Sequence, residues 1–340
     1  MSRYSRIAGA TVVVCVLVAL LMTGCGGKEP TPPASQSGSP PTKPAEQQFW
    51  RIGTASLGGN FFPMGATLGE VLGAKMPGIK FTPEATNGSA YNMGAVDKKD
   101  LEIALCLGPA VAEAINGTGS YAGQPVSHVQ TIANCYATAT HVMINKNLKI
   151  SRLQDLKGKR IEMIAPGDGI EANSRKILEA VGVKWEDIKP EYSGNRQQAA
   201  ARLKSGEVDA IIDGTGIQSA WTVDVIGDGR MYLLSMTDDE ISKVSAQNKE
   251  FSKTIIPAKA YNGQPADVQT VANWTYIVCQ ADLSEDLIYT FTKELFANKA
   301  DLASRHKYYS DLKPENIVGA VIAPLHKGAE KYFKEIGILK

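Results

Sequence analysis

The sequence predicts an α/β protein with two lobes, and three observations lead to this prediction. From Phe49 onwards, apolar runs of strand length alternate with helical runs, which is the pattern of a sheet with helix crossovers. The segment 49–340 is too long for one hydrophobic core of ordinary size. Glycine-rich loops follow several of these strands, where open sheets of this kind bind their ligands. We therefore expect a ligand cleft between the two lobes.

Residues 1–24 are predicted to be an export signal rather than part of the fold. A basic start precedes an apolar run from Ile7 to Met22, which is the order of a secretory signal. Leu21–Cys25 resembles a bacterial lipobox, which implies cleavage before Cys25 and a lipid on its sulfur. The alternative is an uncleaved anchor helix, although the run is short for a membrane span.

Residues 25–48 contain almost no apolar side chains and many prolines and serines. Such a composition predicts a disordered, partly extended tether. With the lipid on Cys25, the tether would hold a globular body off a bacterial membrane. We therefore expect an extracytoplasmic protein that faces the periplasm or the cell exterior.

The charge balance argues against nucleic acid as a partner. The chain has 36 basic and 35 acidic side chains, and without residues 1–24 the count becomes 34 against 35. A nearly neutral chain without basic clusters lacks the electrostatic footprint of a nucleic-acid-binding protein. The three cysteines of the body follow no disulfide or metal spacing, so we expect small buried apolar residues there: Cys106, Cys135 and Cys279.

The sequence also lacks the common motifs of catalysis. It contains no phosphate-binding Gly-x-x-x-x-Gly-Lys-Ser/Thr loop, no Gly-x-Ser-x-Gly elbow and no His-Glu-x-x-His helix. The four histidines also fall at no metal-binding spacing: His128, His141, His306 and His326. We therefore expect no catalytic residues, no cofactor and no metal.

The first candidate binding loop lies in the stretch Ile52–Gly65. A short strand ends at Ile52, a loop of glycine and hydroxyl residues follows, and a helical pattern then begins around Pro63. A helix that begins there leaves its first N–H groups without partners at the positive end of its dipole, which suits an anion. The candidate ligand contacts are Ser56, Gly59 and Asn60. Alternatively, the glycines only permit a tight turn.

Two more loops are expected at the same edge of the first lobe. The segment Thr86–Asn92 opens a helix after the second predicted strand, and Gly108-Pro109 follows the third. Their candidate ligand contacts are Asn87, Ser89, Asn92 and Pro109. The alternative for the polar ones is a helix cap that touches no solute.

The second predicted lobe repeats the arrangement. The glycine loop Ala165–Glu171 separates a strand from a helix, and a later strand, Val208–Ile212, continues into Asp213–Gly216. Backbone amides of the glycine loop would face hydroxyl-bearing residues, so that two lobes form a clamp on a small anion. The candidates are Gly167, Asp168, Gly169 and Ile170, with Thr215 and Gly216 opposite them.

An ordered set of motifs resembles the TAXI-type solute-binding proteins of tripartite ATP-independent periplasmic (TRAP) transporters. The resemblance covers nearly the whole body and rests on Ile52-Gly-Thr, Gly58-Gly, Thr86-Asn-Gly-Ser89, Asn116-Gly-Thr-Gly119, Leu153–Arg160, Ala165-Pro-Gly-Asp-Gly169, Gly206–Ala210, Thr254–Gln264 and Pro324–Phe333. It implies a type II periplasmic-binding-protein fold, whose hinged lobes close on a small organic acid and deliver it to TRAP permease subunits. Glutamate-like amino acids, dicarboxylates and oxo acids are the implied solutes. We expect a monomer.

The lobe boundaries follow from the strand pattern and this resemblance. Lobe I is expected to comprise 49–139 and 281–340, and lobe II 140–280. Val129–Ala133 is expected to be a fourth strand of the first lobe. A second α/β unit would begin near His141 with the strand Val142–Asn145, and the strand Trp274–Cys279 is expected beside it. Tyr136, where related proteins carry an aromatic residue near the hinge, is expected to form a wall of the cleft.

Two departures from the family pattern bear on the solute. Cys106–Pro109 carries no polar side chain at a position where the family has polar residues, so this side of the cleft is expected to be less polar. Asp168 is an acid near an expected anion site. It would pair an ammonium group, with help from Glu171, which favours an amino acid. The alternative is a solvent-facing residue at a helix start.

Two other function classes remain open at this point. One is a binding protein of an ATP-driven importer or a ligand sensor, which would share the same architecture. The other is an extracytoplasmic enzyme that acts on a small carboxylate, because a fold alone does not set a function.

Overall fold

A computed structural model describes residues 47–227 and 229–340. The predicted signal peptide (1–24), Cys25 and most of the tether lie outside these residues. The described part has the α/β class that the sequence predicts. Its strands are β1 (Gln48–Gly53), β2 (Ile79–Glu84), β3 (Ile103–Leu107), β4 (Val129–Asn145), β5 (Arg160–Glu162), β6 (Lys189–Glu191), β7 (Ala210–Thr215), β8 (Met231–Leu233), β9 (Ser252–Ile256) and β10 (Val268–Gln280).

Most helices follow a strand, as the alternating pattern predicts. They are α1 (Phe61–Gly73), α2 (Ser89–Asp97), α3 (Gly108–Asn116), α4 (Gly169–Ala180), α5 (Arg196–Ser205), α6 (Ala220–Gly227), α7 (Asp238–Gln247), α8 (Glu285–Ala297), α9 (Lys299–Arg305) and α10 (Lys327–Glu335). In α1 the side chains of Met64, Leu68 and Leu72 lie one turn apart and are fully buried. This helical spacing is the apolar stripe by which the helix packs on the sheet.

The strands form one mixed sheet in the order β2-β1-β3-β10-β4-β7-β5-β6, with β8 beside β4 and β9 beside β10. Strands β1, β2 and β3 are parallel to one another, and so are β5, β6 and β7. We call these the first and second parallel sets. The antiparallel pair β4 and β10 lies between them and connects them.

Two sequence expectations about this central pair are wrong. Val129–Ala133 and Val142–Asn145 belong to one continuous strand of 17 residues rather than to two strands. The middle of the strand carries Asn134, Thr138, Thr140 and His141, polar residues that suggest a break in the sequence but are all buried in the folded sheet. Trp274–Cys279 does not lie beside Val142–Asn145. Trp274 pairs with Ala137 and Cys279 with Gln130, because β10 runs antiparallel to the earlier half of β4.

Apolar residues pack into separate clusters around the two parallel sets. Around the second set, Ile161, Ile177 and Ile212 are fully buried. Around the first set, the buried side chains include Ile52, Leu68 and Phe291. The exact lobe limits, 49–139 with 281–340 and 140–280, stay a prediction.

Cys106, Cys135 and Cys279 are free and buried, as expected for small apolar residues. Desolvation raises the pKa of all three thiols, so they remain protonated. Among the residues that the structure describes, no helix combines the length and apolar character that a membrane crossing requires.

Candidate functional site

The carboxyl ends of the two parallel sets meet at the middle of β4. Leu107, the last residue of β3, pairs with Thr275 of β10, which in turn pairs with Tyr136 of β4. Thr215, the last residue of β7, pairs with Ala139, only three residues further along β4. The loops that follow both sets therefore face each other across one point of the sheet, where ligands bind in such folds.

A cleft lies at this point between the loops of both sets. The space between its walls is about 430 Å³, of which only about 30 Å³ can hold the centre of a water molecule. That is room for one or two waters rather than for a metabolite. The lining residues are Ala55, Gly59, Asn60, Phe61, Gly88, Ser89, Leu107, Tyr136, Asp168, Arg196, Gly214, Thr215 and Trp221.

The central charge of the cleft is Arg196, which the sequence analysis did not single out. It is the first residue of α5, and its side chain is 11% exposed. The guanidinium Nη1 lies 3.3 Å from Ser56 Oγ and 3.4 Å from Asp168 Oδ2, and Nη2 lies 3.9 Å from Asp213 Oδ1. It therefore connects the first loop with two acids of the second set.

Asp168 is buried and has two partners inside the chain. Its Oδ1 accepts a hydrogen bond from the Ile170 amide at 3.0 Å, and its Oδ2 pairs with Arg196. Burial raises the pKa of this carboxyl, and Arg196 opposes the rise. The sequence offered a solvent-facing residue at a helix start as the alternative for Asp168. Asp168 does lie at a helix start, as the N-cap of α4, but it does not face solvent.

Asp213 is the second acid, and the sequence analysis missed it as a site residue. It is fully buried on β7, where its Oδ2 accepts a hydrogen bond from Trp221 Nε1 at 2.8 Å. Burial raises the pKa of this carboxyl, Arg196 opposes the rise, and Asp168 adds to it. The Arg196 guanidinium lies 5.9 Å above the Trp221 ring.

The helix amides expected to hold an anion in the second lobe are occupied. The Ile170 N–H donates to Asp168 Oδ1 at 3.0 Å and the Gly167 N–H donates to Glu171 Oε2 at 3.4 Å. The Gly167 carbonyl accepts from the Ala90 amide of α2 at 3.0 Å. A Cβ on Gly169 would lie 2.7 Å from Ser89 Oγ, so Gly169 allows the two halves to touch. Gly167 and Gly169 therefore contact the first-set elements, and Ile170 donates to the N-cap residue of α4. None of the three lines the cleft. The expectation that Glu171 is available to an ammonium is also contradicted, because Arg175 Nη2 binds its Oε1 at 2.6 Å.

The first-set candidates divide into two groups. Gly59, Asn60 and Ser89 line the cleft, and Ser56 contacts Arg196. Asn92 is fully buried and donates to the Thr54 and Leu105 carbonyls, so it ties α2 to two strands. Asn87 is exposed, and Pro109 lies in the first turn of α3; neither lines the cleft.

Two of the three remaining candidates, Tyr136 and Thr215, line the cleft, and Gly216 does not. Tyr136 lines the cleft and is stacked on Tyr308, with ring centroids 4.7 Å apart. Thr215 Oγ1 accepts a hydrogen bond from Asn60 Nδ2 at 3.1 Å, which joins the two walls. Gly216 does not line the cleft; a Cβ there would lie 2.1 Å from the Tyr308 ring, so its role is close packing.

A buried polar network lies behind the acid of β7. His141, the register partner of Asp213, is fully buried; its Nδ1 lies 2.9 Å from the Ala139 carbonyl oxygen and its Nε2 2.8 Å from the Tyr261 hydroxyl. The Tyr261 hydroxyl also accepts from the Gln218 amide at 2.8 Å. Burial lowers the pKa of His141 to about 4, so the ring is neutral at physiological pH.

Arg196 had a signal in the sequence that could have been used. It follows Asn195, whose side chain accepts from the Gln198 amide and caps α5. A cation in the first turn of a helix opposes the helix dipole, so a basic residue there needs a compensating partner. Asp213 and Trp221 gave no such signal, because only the folded sheet brings them beside α5.

Among residues 47–227 and 229–340, no group of three or more His, Cys, Asp or Glu side chains is arranged to hold a metal ion.

The profile of the NMT1-like family matches residues 52–337 of this chain. The chain belongs to the NMT1-like family. The match extends from the end of β1 to the segment after α10, and so includes every residue of the cleft.

Two of the solved structures with a similar fold are periplasmic proteins. A periplasmic transporter of known structure is 13% identical to this chain with a TM-score of 0.53, and the alignment covers 85% of this chain and 92% of the transporter. The periplasmic binding protein BugD is 12% identical with a TM-score of 0.52, covering 86% and 96%. XAC2383 from Xanthomonas citri, bound to ATP, is 8% identical with a TM-score of 0.52, covering 85% and 96%. The NMT1-like chain therefore has the periplasmic-binding-protein fold.

Proposed function

We propose that this NMT1-like protein is an extracytoplasmic solute-binding protein, which captures a small organic acid in the cleft and delivers it to a membrane importer. The observation that carries the proposal is the buried guanidinium of Arg196 at the point where the carboxyl ends of both parallel sets meet. Arginine matches a carboxylate through two parallel hydrogen bonds, and it is the usual choice at buried anion sites.

The neighbours of Arg196 would complete the site. Asn60 and Ser89 of the first set, and Thr215 of the second, offer an amide and two hydroxyls to the remaining polar atoms of the solute. Tyr136 and Trp221 supply aromatic walls. A few polar groups in a mostly enclosed, aromatic pocket are typical of small-molecule sites.

Binding would require the walls to move apart. The present cleft has room for one or two waters, and Asn60 and Thr215 are bonded across it. We propose that the two halves open to admit the solute and then close on it, as hinged binding proteins do. The closed state would exclude water and so strengthen each polar contact with the solute.

The class of importer is a finer proposal. The family and the fold support a binding protein at the coarser level, and they do not assign a TAXI-type partner of a TRAP permease. We therefore place the ATP-driven importer, held as the alternative above, on at least an equal footing with the TRAP transporter. A gene for a permease of either class beside the gene of this chain would discriminate the two. The lipid on Cys25 stays part of the proposal, as does the extracytoplasmic location.

We propose no catalytic role. Among the described residues, the charged side chains that line the cleft are Arg196 and Asp168, and Asp213 lies beside Arg196 behind the lining; both acids already have partners in the chain. Such an arrangement can bind and orient a solute but offers no pair of nucleophile and base.

The experiment that tests the proposal is identification of the bound solute. The full chain, expressed with its own export signal and extracted in mild detergent, would be denatured and its released small molecules measured by mass spectrometry. We expect one small carboxylic acid, such as an amino acid, a dicarboxylate or an oxo acid. The acid added back at a hundredfold excess over its Kd should stabilise the fold by about 2.7 kcal/mol. The proposal fails if no acid is released and none raises the melting temperature.

A further inference from the structure

We infer that Asp213 selects solutes that carry an ammonium group beside their carboxylate, so that the cleft takes amino acids in preference to oxo acids or dicarboxylates. This inference rests on the proposed function, and it names the residue that decides between the solute classes left open there. It also moves the role from Asp168, which the sequence analysis chose, to a different acid.

The first support is a carboxylate oxygen without a hydrogen-bond donor. Asp213 is fully buried, and its Oδ2 is held by Trp221 Nε1 at 2.8 Å, whereas its Oδ1 accepts no hydrogen bond from the described residues. The nearest cation, Arg196 Nη2, is 3.9 Å from Oδ1, which is too long for a hydrogen bond. A buried acceptor of this kind is costly unless a donor reaches it.

The second support is the position of Asp213 beside the cleft. Asp213 and Thr215 are two residues apart on β7, so their side chains lie on the same face of the sheet. Thr215 and Arg196 both line the cleft. Asp213 itself does not line the closed cleft, but Gly214 and Thr215, which follow it directly, do, and its Oδ1 lies 3.9 Å from Arg196 Nη2, the guanidinium that would hold the solute carboxylate. The opening proposed above would bring Oδ1 within reach of the solute ammonium.

The third support is the charge count of the cleft. Two carboxyl groups, those of Asp168 and Asp213, lie beside one guanidinium, so the formal charge of the three groups is −1 and no cation is in excess. The nearby ion pair of Glu113 and Arg175, with Glu171, is closed within the chain and does not compensate it. A dicarboxylate would add two negative charges to a desolvated site, which is unfavourable. An amino acid adds a positive charge next to Asp213 as well as a carboxylate next to Arg196.

Asp168 cannot take this role in the same way. One of its oxygens caps α4 through the Ile170 amide, and the other pairs with Arg196 at 3.4 Å. An ammonium at Asp168 would have to displace one of these partners, whereas Oδ1 of Asp213 has no hydrogen bond to lose.

The experiment compares matched pairs of solutes on the full chain. Calorimetry would measure the Kd of glutamate against 2-oxoglutarate and of aspartate against malate, since the members of each pair differ mainly in the ammonium group. We expect the wild type to bind the better amino acid at least tenfold more tightly than its partner. Asp213→Asn, which keeps the size and the bond from Trp221 to the side-chain oxygen, should reduce that ratio at least fivefold. The exposed Asp224→Asn is the matched control and should leave it unchanged.

The outcomes separate the two proposals. If the oxo acids or dicarboxylates bind the wild type as tightly as the amino acids, the role of Asp213 is refuted while the solute-binding function stands. If none of these acids binds and no acid is released when the purified chain is denatured, the proposed function itself has failed. Should Asp213→Asn not fold, the wild-type ratios alone decide, because a ratio near one contradicts the inference and a ratio above ten supports it. An unchanged ratio in folded Asp213→Asn contradicts the inference too.

Discussion

Arg175 on α4 and Glu113 on α3 form an ion pair that joins the second parallel set to the first. Arg175 Nη1 lies 2.9 and 3.1 Å from the two carboxylate oxygens, and the Glu113 side chain is only 2% exposed. The guanidinium also lies 4.5 Å from the centre of the Trp185 ring and binds Glu171. The Glu113 carboxylate also accepts a hydrogen bond from the Ser120 amide at 3.2 Å.

Replacement of this arginine should destabilise the fold strongly. Arg175→Met leaves the buried Glu113 carboxylate without a cation, and such a loss costs about 3–5 kcal/mol. Lys243→Met, which breaks the exposed pair with Asp239, is the control and should cost less than about 1 kcal/mol. Urea denaturation of the two variants measures both values. Equal losses would show that the Arg175 pair contributes no more than a surface pair.

Gly119 should tolerate no side chain, because the Glu113 carboxylate fills the space beside it. A Cβ there would lie 2.1 Å from Glu113 Cδ, and the backbone has a φ of +53°. Gly123 has a φ of +75° but no atom within 4 Å of the Cβ position. A substitution at Gly123 therefore measures the cost of backbone strain alone. We expect Gly123→Ala to cost about 1–2 kcal/mol and Gly119→Ala clearly more. The prediction is wrong if both melt at the same temperature.

His141 should make the fold sensitive to acid. Its pKa is lowered by burial to about 4, whereas the unfolded chain has a value near 6.5. The unfolded state therefore binds more protons between these values, so stability is fully present above pH 6.5 and is lost as the pH falls towards 4. The loss from this group is roughly 3 kcal/mol. Denaturation of wild type and His141→Gln at several pH values tests it: the difference between them should change across this window and be flat above it.

Arg196 should matter for binding and for the charge balance of the two acids. Arg196→Lys keeps a charge but loses the planar fork, so solute affinity should fall at least tenfold, or by about 1.4 kcal/mol. Arg196→Met leaves Asp168 and Asp213 buried without a cation and raises the pKa of both further. The stability deficit of Arg196→Met should therefore shrink as the pH falls from 7 to 5. Calorimetry and denaturation are the measurements, and a pH-independent deficit would contradict the proposed charge balance.

The hydrogen bond between Asn60 and Thr215 should contribute to holding the closed state. Thr215→Val keeps the shape and removes the acceptor at 3.1 Å. The loss of one such bond costs about 0.5–1.5 kcal/mol, so solute affinity should fall roughly two- to tenfold. Thr270→Val removes another buried hydroxyl, which donates to the Thr140 carbonyl away from the cleft. It should lower stability and leave the affinity unchanged, and an equal effect of both variants on affinity would refute the role of the cross-cleft bond.

Local patterns were sufficient to predict the elements around the cleft. The periodicity of Met64, Leu68 and Leu72 and the proline at position 63 predicted α1, and the strand and helix order predicted the α/β class. Of the candidate residues, Gly59, Asn60, Ser89, Tyr136, Asp168 and Thr215 lie together in the cleft. All except Tyr136, which lies in the middle of β4, belong to a loop, a helix start or a strand end whose position follows from the alternation of strands and helices.

The remaining parts depended on contacts that are far apart in the chain. Asp213 meets Arg196 only because β7 ends where α5 begins its first turn, and their sequence positions give no hint of this. Ile170 was predicted to offer a free amide, yet Asp168 binds it, because an acid at an N-cap competes with any external anion for the same donors. The pairing of β10 with the earlier half of β4 depends on register, which a single buried run does not specify.

Because β4 and β10 run without interruption from one parallel set to the other, the two halves share a backbone ribbon rather than a pair of flexible linkers. A cut near residue 140 would divide β4 and place β10 on a different fragment from its neighbour β3. Separate expression of the halves should therefore give fragments with unpaired edges that recombine or aggregate, while a circular permutant with new termini in an exposed loop keeps the ribbon intact.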